Sequence, residues 1–116
     1  VQIGNFVEVK NVNIASNCKI NHLSFIGDAD LAENVTIGAG TITCNHDGVG
    51  INHTTIEERA YIGSGCELVA PLKINRNAMI ASGSTITEEV VGDTLTIARA
   101  RQVIVEGWHG PKSRKE

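Results

Sequence analysis

Hydrophobic positions along the chain recur every five or six residues. An aliphatic side chain stands at Ile3, Val9, Ile14, Ile20, Ile26, Leu31 and Ile37. The series resumes at Ile56, Ile62, Leu68, Ile74, Ile80 and Ile86, where every step is six. A small residue often follows, as in Ile3-Gly4, Ile26-Gly27, Ile37-Gly38 and Ile62-Gly63. An amphipathic helix would need apolar residues three and four apart, and a half-buried strand would need strict alternation. Neither template fits. One inward aliphatic per six residues predicts an all-β chain, a parallel β-helix with three short strands in each coil of 17 or 18 residues. Coils of such a solenoid lie ~4.8 Å apart and stack their aliphatic residues in columns. Ordinary strands of an α/β sheet would need crossover helices, for which the pattern leaves no room.

The interruption between Ile37 and Ile56 has a composition of its own. Asn45-His46-Asp47-Gly48 and Gly50 are turn-forming residues, so a loop over about 43–55 is predicted to leave one face. Gly92-Asp93 ends the repeat. The β-helix is therefore expected over 1–91, followed over 92–116 by an extended C-terminal segment and a short basic tail of Lys112, Arg114 and Lys115. If the loop belongs to the segment opening at Thr43, Asn5, His22, Ala39, Ser64 and Ser82 each come third in their segments and form one column. Glu8 and Phe25, 17 residues apart, form a second column, with Lys10 and Asn45 at the adjoining corner.

Composition narrows the classes. Phe6, Phe25, Tyr61 and Trp108 are the only aromatic residues, whereas Ile, Val, Gly, Asn and Thr are plentiful, which suits short strands and tight turns. A net charge of -3 gives no reason to expect a nucleic-acid partner. No apolar run reaches membrane-spanning length and no signal peptide is visible, so a cytoplasmic protein without a membrane partner is expected. Cys18, Cys44 and Cys66 are odd in number and contain no C-x-x-C pair, which predicts reduced structural thiols. His46 and His53 lack further ligand-like spacing, so no metal site is expected. The chain opens on Val1, which suggests a piece of a longer protein.

Three segments carry a family likeness: Ile3-Gly-Asn-Phe-Val-Glu-Val-Lys10, His22-Leu-Ser-Phe-Ile-Gly-Asp-Ala29 and Ile37-Gly-Ala-Gly-Thr-Ile-Thr-Cys-Asn45. Leu68-Val-Ala-Pro71 and Glu106-Gly-Trp108 extend it. Over nearly its whole length the chain resembles the acetyltransferase domain of the bacterial bifunctional N-acetylglucosamine-1-phosphate uridyltransferase, a hexapeptide-repeat family. The hand of the solenoid comes only from this resemblance, which implies a left-handed β-helix although parallel crossovers are right-handed in ~98% of cases. The resemblance also implies an acetyl-coenzyme A-dependent N-acetyltransferase acting on glucosamine 1-phosphate or a related amino sugar. That activity uses acetyl-coenzyme A as cosubstrate, needs no metal, and belongs to a homotrimer with its sites at subunit interfaces. The family's nucleotidyltransferase region, and an arginine of its phosphate site, would lie upstream of Val1.

Residue by residue, the resemblance assigns Glu8 and His22 to catalysis. It assigns Lys10, Ala39 and Asn45 to the acceptor and acetyl group, and Ser64, Ser82 and Arg99 to coenzyme A. The chemistry agrees with those types. An amine must lose a proton to attack a thioester, imidazole titrates near working pH, and main-chain N–H groups around Ala39 suit a developing oxyanion. The chain departs from the family at Phe25 and His46, where tyrosine is usual, at Thr36, where asparagine is usual, and at Ile51, where lysine is usual. At most Lys10 remains of the expected phosphate clamp. The alternatives are therefore an acetyltransferase for a different amine, or a trimeric scaffold of low activity on the same fold.

Overall fold

Apolar spacing of this kind can be satisfied only if each coil covers the one before it, and the computed structural model, which describes residues 1–111, is built in that way. The basic tail expected at Lys112, Arg114 and Lys115 lies outside the described residues. The strands are β1 (Gln2–Ile3), β2 (Glu8–Ile14), β3 (Lys19–Ile20), β4 (Phe25–Leu31), β5 (Thr36–Ile37), β6 (Ile42–Cys44) and β7 (Thr54–Ile56). They continue as β8 (Tyr61–Ile62), β9 (Glu67–Val69), β10 (Leu72–Ile74), β11 (Met79–Ile80), β12 (Thr85–Ile86) and β13 (Leu95–Thr96). All pairings between them are parallel.

Three faces result. The first is the sheet β1-β3-β5-β8-β11-β13, in which Ile3, Ile20, Ile37, Ile62 and Ile80 stand in register. The other two belong to one sheet folded round an edge. β2 and β4 bend at Asn11 and Asp28, whose φ angles are 54° and 52°. Before the bend, Glu8, Phe25, Ile42, Glu67 and Thr85 are in register on the second face. Beyond it, Ala29, Thr54 and Leu72 are in register on the third. With its C-terminal segment included, the described chain measures 55 × 31 × 29 Å. Among the described residues no helix is long and apolar enough to cross a membrane.

From Ile20 onward the apolar series forms the core, whereas Ile3 and Val9 in the first coil are exposed. Ile26, Ile37, Ile56, Ile62, Leu68 and Ile74 are wholly buried, and Ile20, Ile80, Leu31 and Ile86 nearly so. Each such side chain contributes ~1.5–3 kcal/mol of burial, against the entropy of ordering its segment. Thr43 fills the slot where the series breaks, between Ile26 and Leu68. Its hydroxyl accepts from Gly27 N–H at 2.7 Å, so a polar residue is held inside without an unmet bond. At the end, β13 pairs with β11, and Thr85 N–H donates to the Ala98 carbonyl at 2.9 Å. Stacking therefore runs past Gly92-Asp93, because Leu95 and Thr96 resume the first face.

Candidate active site

Three corners join the faces, and two of them carry the residues singled out in the sequence. At the first corner the carbonyls of Asn5, His22, Ala39 and Ser64 accept from the N–H groups of Leu23, Gly40, Gly65 and Gly83 at 2.8–3.0 Å. Each bond runs one coil onward, so Asn5, His22, Ala39, Ser64 and Ser82 stack in one column. The residue after each adopts a left-handed conformation: Phe6, Leu23, Gly40, Gly65 and Gly83 have φ between 59° and 75°. Glycine adopts this without strain, but the leucine beside His22 does so at a cost of ~1–2 kcal/mol.

The His22 side chain is exposed and lies back across Gly4, where an added Cβ would come within 2.5 Å of Nδ1. Nδ1 accepts from the main-chain N–H of Asn5 at 2.9 Å. The neutral ring therefore carries its own proton on Nε2. Among the described residues Glu8 makes no hydrogen bond to His22. It stands on the second face in register with Phe25, and the group that orients the imidazole is the Asn5 amide.

One coil onward, the N–H of Gly38 is taken by the Ile62 carbonyl at 2.7 Å and that of Gly40 by His22 at 2.9 Å. The Ala39 N–H between them has no intramolecular partner among the described residues. The flanking glycines thus do not serve as further oxyanion donors, because the coil ladder uses them. Gly38 has a different task. A Cβ there would come within 2.5 Å of Ser64 N, so its absence lets the next coil approach. Farther along, Ser82 Oγ accepts from Ser64 N–H at 3.1 Å, and Arg99 Nη1 donates to the Ser82 carbonyl at 2.6 Å. Ser64, Ser82 and Arg99 are therefore contiguous, on the same corner as His22 and Ala39.

Across the second face lies the second corner. Lys10 registers with Gly27, while Asn45 continues the column of Asn11 and Asp28 one position further on. Asp28 Oδ1 accepts from Asn11 Nδ2 at 2.7 Å and Oδ2 from Asn45 Nδ2 at 2.6 Å. These two bonds, Asn11 first, hold the Asp28 carboxyl below the usual carboxylate range, helped by Lys10 and opposed by burial. The Phe25 ring and the Asn45 amide sit over Gly27, where a Cβ would come within 2.7 Å of the ring and 2.8 Å of Asn45 Nδ2. Burial, and then the charge of Glu67, push the neighbouring Cys44 thiol up. Coil spacing exposes what motif reading missed: Asn11, Asp28 and Asn45 are 17 residues apart in turn, like Asn5, His22 and Ala39.

The connection from Cys44 to Thr54 leaves from this corner as a small hairpin in which His46 bridges Ile51 in antiparallel fashion. Asp47 organises it. Its carboxylate accepts from Gly50 N–H and Val49 N–H at 2.8 Å and from Asn52 Nδ2 at 3.0 Å, and these bonds depress its pKa to about 2. His46 Nδ1 accepts from Gly48 N–H, and His53 Nε2 pairs with Asp30 at 2.9 Å. Among the described residues no three His, Cys, Asp or Glu side chains gather as a metal-binding group.

Comparison with known proteins agrees with the fold. The bacterial transferase hexapeptide family (six repeats) matches residues 53–88. Bifunctional protein GlmU of Methylococcus capsulatus is 58% identical over 117 residues, covering 100% of this chain and 25% of that protein. A hexapeptide-repeat-containing acetyltransferase from Vibrio cholerae superposes with a TM-score of 0.72 at 17% identity, over 84% of this chain and 68% of the other. Perosamine N-acetyltransferase from Caulobacter crescentus, solved with CoA and GDP-perosamine, gives 0.68 at 17% identity over 84% and 47%. The chain is a left-handed parallel β-helix that carries the bacterial transferase hexapeptide repeat over residues 53–88, and along its whole length it is similar to about a quarter of bifunctional protein GlmU.

Proposed function

We propose that this chain is the acetyl-transferring part of a longer cytoplasmic enzyme, and that it moves an acetyl group from acetyl-coenzyme A to the amine of glucosamine 1-phosphate or a related amino sugar. The observation that carries the reading is the first corner. An exposed imidazole and a main-chain N–H without a partner among the described residues, those of His22 and Ala39, stand one above the other in adjacent coils. In this reading the amine attacks the thioester carbonyl, His22 takes the amine proton, and the Ala39 N–H donates to the developing oxyanion. Collapse of the tetrahedral intermediate breaks the carbon–sulfur bond, and the leaving sulfur takes up the proton. For His22 to accept a proton its ring must release Asn5, and because that bond lies at the surface, water replaces it at small cost. Glu8, on the neighbouring face, supports the charged imidazole through space. Ser64, Ser82 and Arg99, stacked farther along the corner, are assigned to coenzyme A, and Lys10 and Asn45 to the acceptor.

The active assembly in this reading is a homotrimer. One slender solenoid offers flat faces and little concavity, so an enclosed site forms more easily between copies than on one. Tyr61, Met79 and Leu95, in register and exposed on the first face, give such copies apolar surface to cover. Light scattering at micromolar concentration tests the assembly, and a monomer there would remove the shared-site reading.

A second reading, acetyl transfer to a less anionic amine, has its own support. Among the described residues Lys10 is the only basic one in the strand columns of the second face, Phe25 lacks a hydroxyl, and Ile51 stands exposed on the hairpin. One comparison separates the two: thiol release over amino sugars with and without phosphate, before and after Phe25→Tyr with Ile51→Lys. Adding a lysine and a phenol should raise the preference for the phosphorylated acceptor roughly tenfold or more, through charge-assisted contacts. An unchanged ratio places the phosphate elsewhere.

A further inference from the structure

Asn45 opens the hairpin at the second corner, and its carboxamide has two faces that recognise opposite partners. Its Nδ2 is a donor and its Oδ1 an acceptor, and which of them meets a ligand depends on what holds the other. Here Nδ2 points at Asp28 Oδ2, 2.6 Å away. An ionised carboxylate only accepts, so it cannot bond the oxygen of an amide. Asp28 is buried, with its other oxygen filled by Asn11 Nδ2 at 2.7 Å. Asn45 Oδ1 has no partner among the described residues, and the residue is only half-buried.

The construction is repeated two residues along the same strand. Asp30 Oδ1 accepts from Asn13 Nδ2 at 2.7 Å, and Oδ2 pairs with His53 Nε2 at 2.9 Å. In each case an asparagine of the first coil and one end of the hairpin share an aspartate of β4. Both ends of the hairpin are pinned, so Asn45 cannot swing to relieve a mismatch.

We propose that Asp28 is a positioning residue: it fixes the Asn45 carboxamide with its oxygen outward, so that this corner presents a hydrogen-bond acceptor to an N–H or O–H donor of the acceptor substrate. The chemical class recognised is an amine or an amino alcohol, as opposed to a carboxylate or carbonyl. The substrate part of this inference rests on the reading that Asn45 borders the acetyl-transfer site. The orientation of the amide does not.

Charge-neutral substitution separates orientation from bulk. In Asp28→Asn the new carboxamide can accept from Asn11 only by turning its own NH2 toward Asn45. Where it does, Asn45 has to flip, presenting its NH2 to the ligand; where the new oxygen turns to Asn45 instead, the exposed Asn11 flips and Asn45 keeps its orientation. Exchanging the pair, Asp28→Asn with Asn45→Asp, satisfies every group again. The amide at position 28 accepts from Asn11 and donates to the carboxylate at 45, whose second oxygen faces outward.

The expected result is a loss of roughly tenfold or more in kcat/KM for the amine in Asp28→Asn. The KM for acetyl-coenzyme A and the melting temperature should stay near wild type, and the exchanged pair should recover most of the loss. Full turnover by an Asp28→Asn protein in which the Asn45 amide has lost its protection from exchange overturns the proposal. So does an exchanged pair as impaired as the single variant, because the loss would then come from the charge or shape of Asp28 and not from the oxygen it presents. Side-chain amide spectra give an arm independent of activity. In wild type one Nδ2 proton of Asn45 should exchange slowly, and an Asp28→Asn protein that has lost turnover should have lost that protection with it. Free exchange of both Nδ2 protons in wild type overturns the orientation. If wild type transfers acetyl to no amino sugar, the functional reading fails, and the amide spectra still decide what Asp28 does.

Discussion

At the first corner His22 and Ala39 face solvent with polar groups that no neighbouring side chain uses. At the second corner Asn11, Asp28 and Asn45 direct theirs at one another. Both columns descend from the same spacing of 17 residues, so periodicity does not separate them. What separates them is side-chain length and hydrogen-bond capacity. Asparagine and aspartate reach the next coil ~4.8 Å away and satisfy each other there. Alanine and serine at the first corner are too short to do so across the whole column, and the main-chain N–H of Ala39 stays open. One corner is joined into a ladder that leaves the Asn45 oxygen outward, and the other keeps an imidazole and a main-chain N–H open to a ligand.

The largest expected consequence concerns His22. Its replacement by alanine should reduce turnover by ~10²–10⁴-fold, the usual contribution of a positioned base, without loss of the fold. Full turnover in a folded His22→Ala protein, measured by thiol release, would erase the distinction between the corners.

Packing at the first corner gives the next effect. A Cβ at Gly63 would lie 2.5 Å from Ser82 N and 2.7 Å from the Ile80 carbonyl oxygen, both main-chain atoms that cannot step aside. Gly63→Ala should cost ~1–3 kcal/mol in urea denaturation, as overpacking does. Gly50→Ala, with nothing within 4 Å, should stay within ~0.5 kcal/mol. Equal costs at the two sites would show that the coils are not in such close contact.

A smaller effect, of opposite sign, is expected inside the solenoid. Thr54 is wholly buried between Ala29 and Leu72, and its hydroxyl has no partner among the described residues. Thr54→Val keeps the shape and removes the unmet group, so the denaturation midpoint should rise by the equivalent of about 1 kcal/mol. A fall would mean that the hydroxyl is satisfied in solution.

The smallest effect is local to the hairpin. The Asp47 carboxyl is depressed from 3.8 to about 2 because its ionised form accepts from Gly50, Val49 and Asn52. A depressed folded value means that its contribution is complete above about 3.8 and fades as pH falls through about 2. Amide exchange at Val49 and Gly50 should quicken over that window while the buried strands stay protected. Exchange that is flat across it would show that the carboxylate does not hold the hairpin.

Much of this was legible in the sequence. The six-residue series placed the coils, and counting third positions placed His22 above Asn5 and below Ala39. Two features were not. Thr43 hides the core column at the loop because a buried threonine reads as polar until its bonds to Gly27 are seen. Asp28 lies inside a quoted motif, yet nothing in one sequence says that a turn aspartate will be buried between two asparagines. The orientation of His22 was not legible either, since Glu8 and the Asn5 amide both lie one coil before it and only the amide bonds to the ring.

The most direct test of the account is thiol release from acetyl-coenzyme A by the folded chain, followed with glucosamine 1-phosphate and with unphosphorylated glucosamine. The account predicts saturable release matched one-to-one by acetylated amine, and absent without an amine. A folded trimer that releases no thiol with any amino sugar would contradict it.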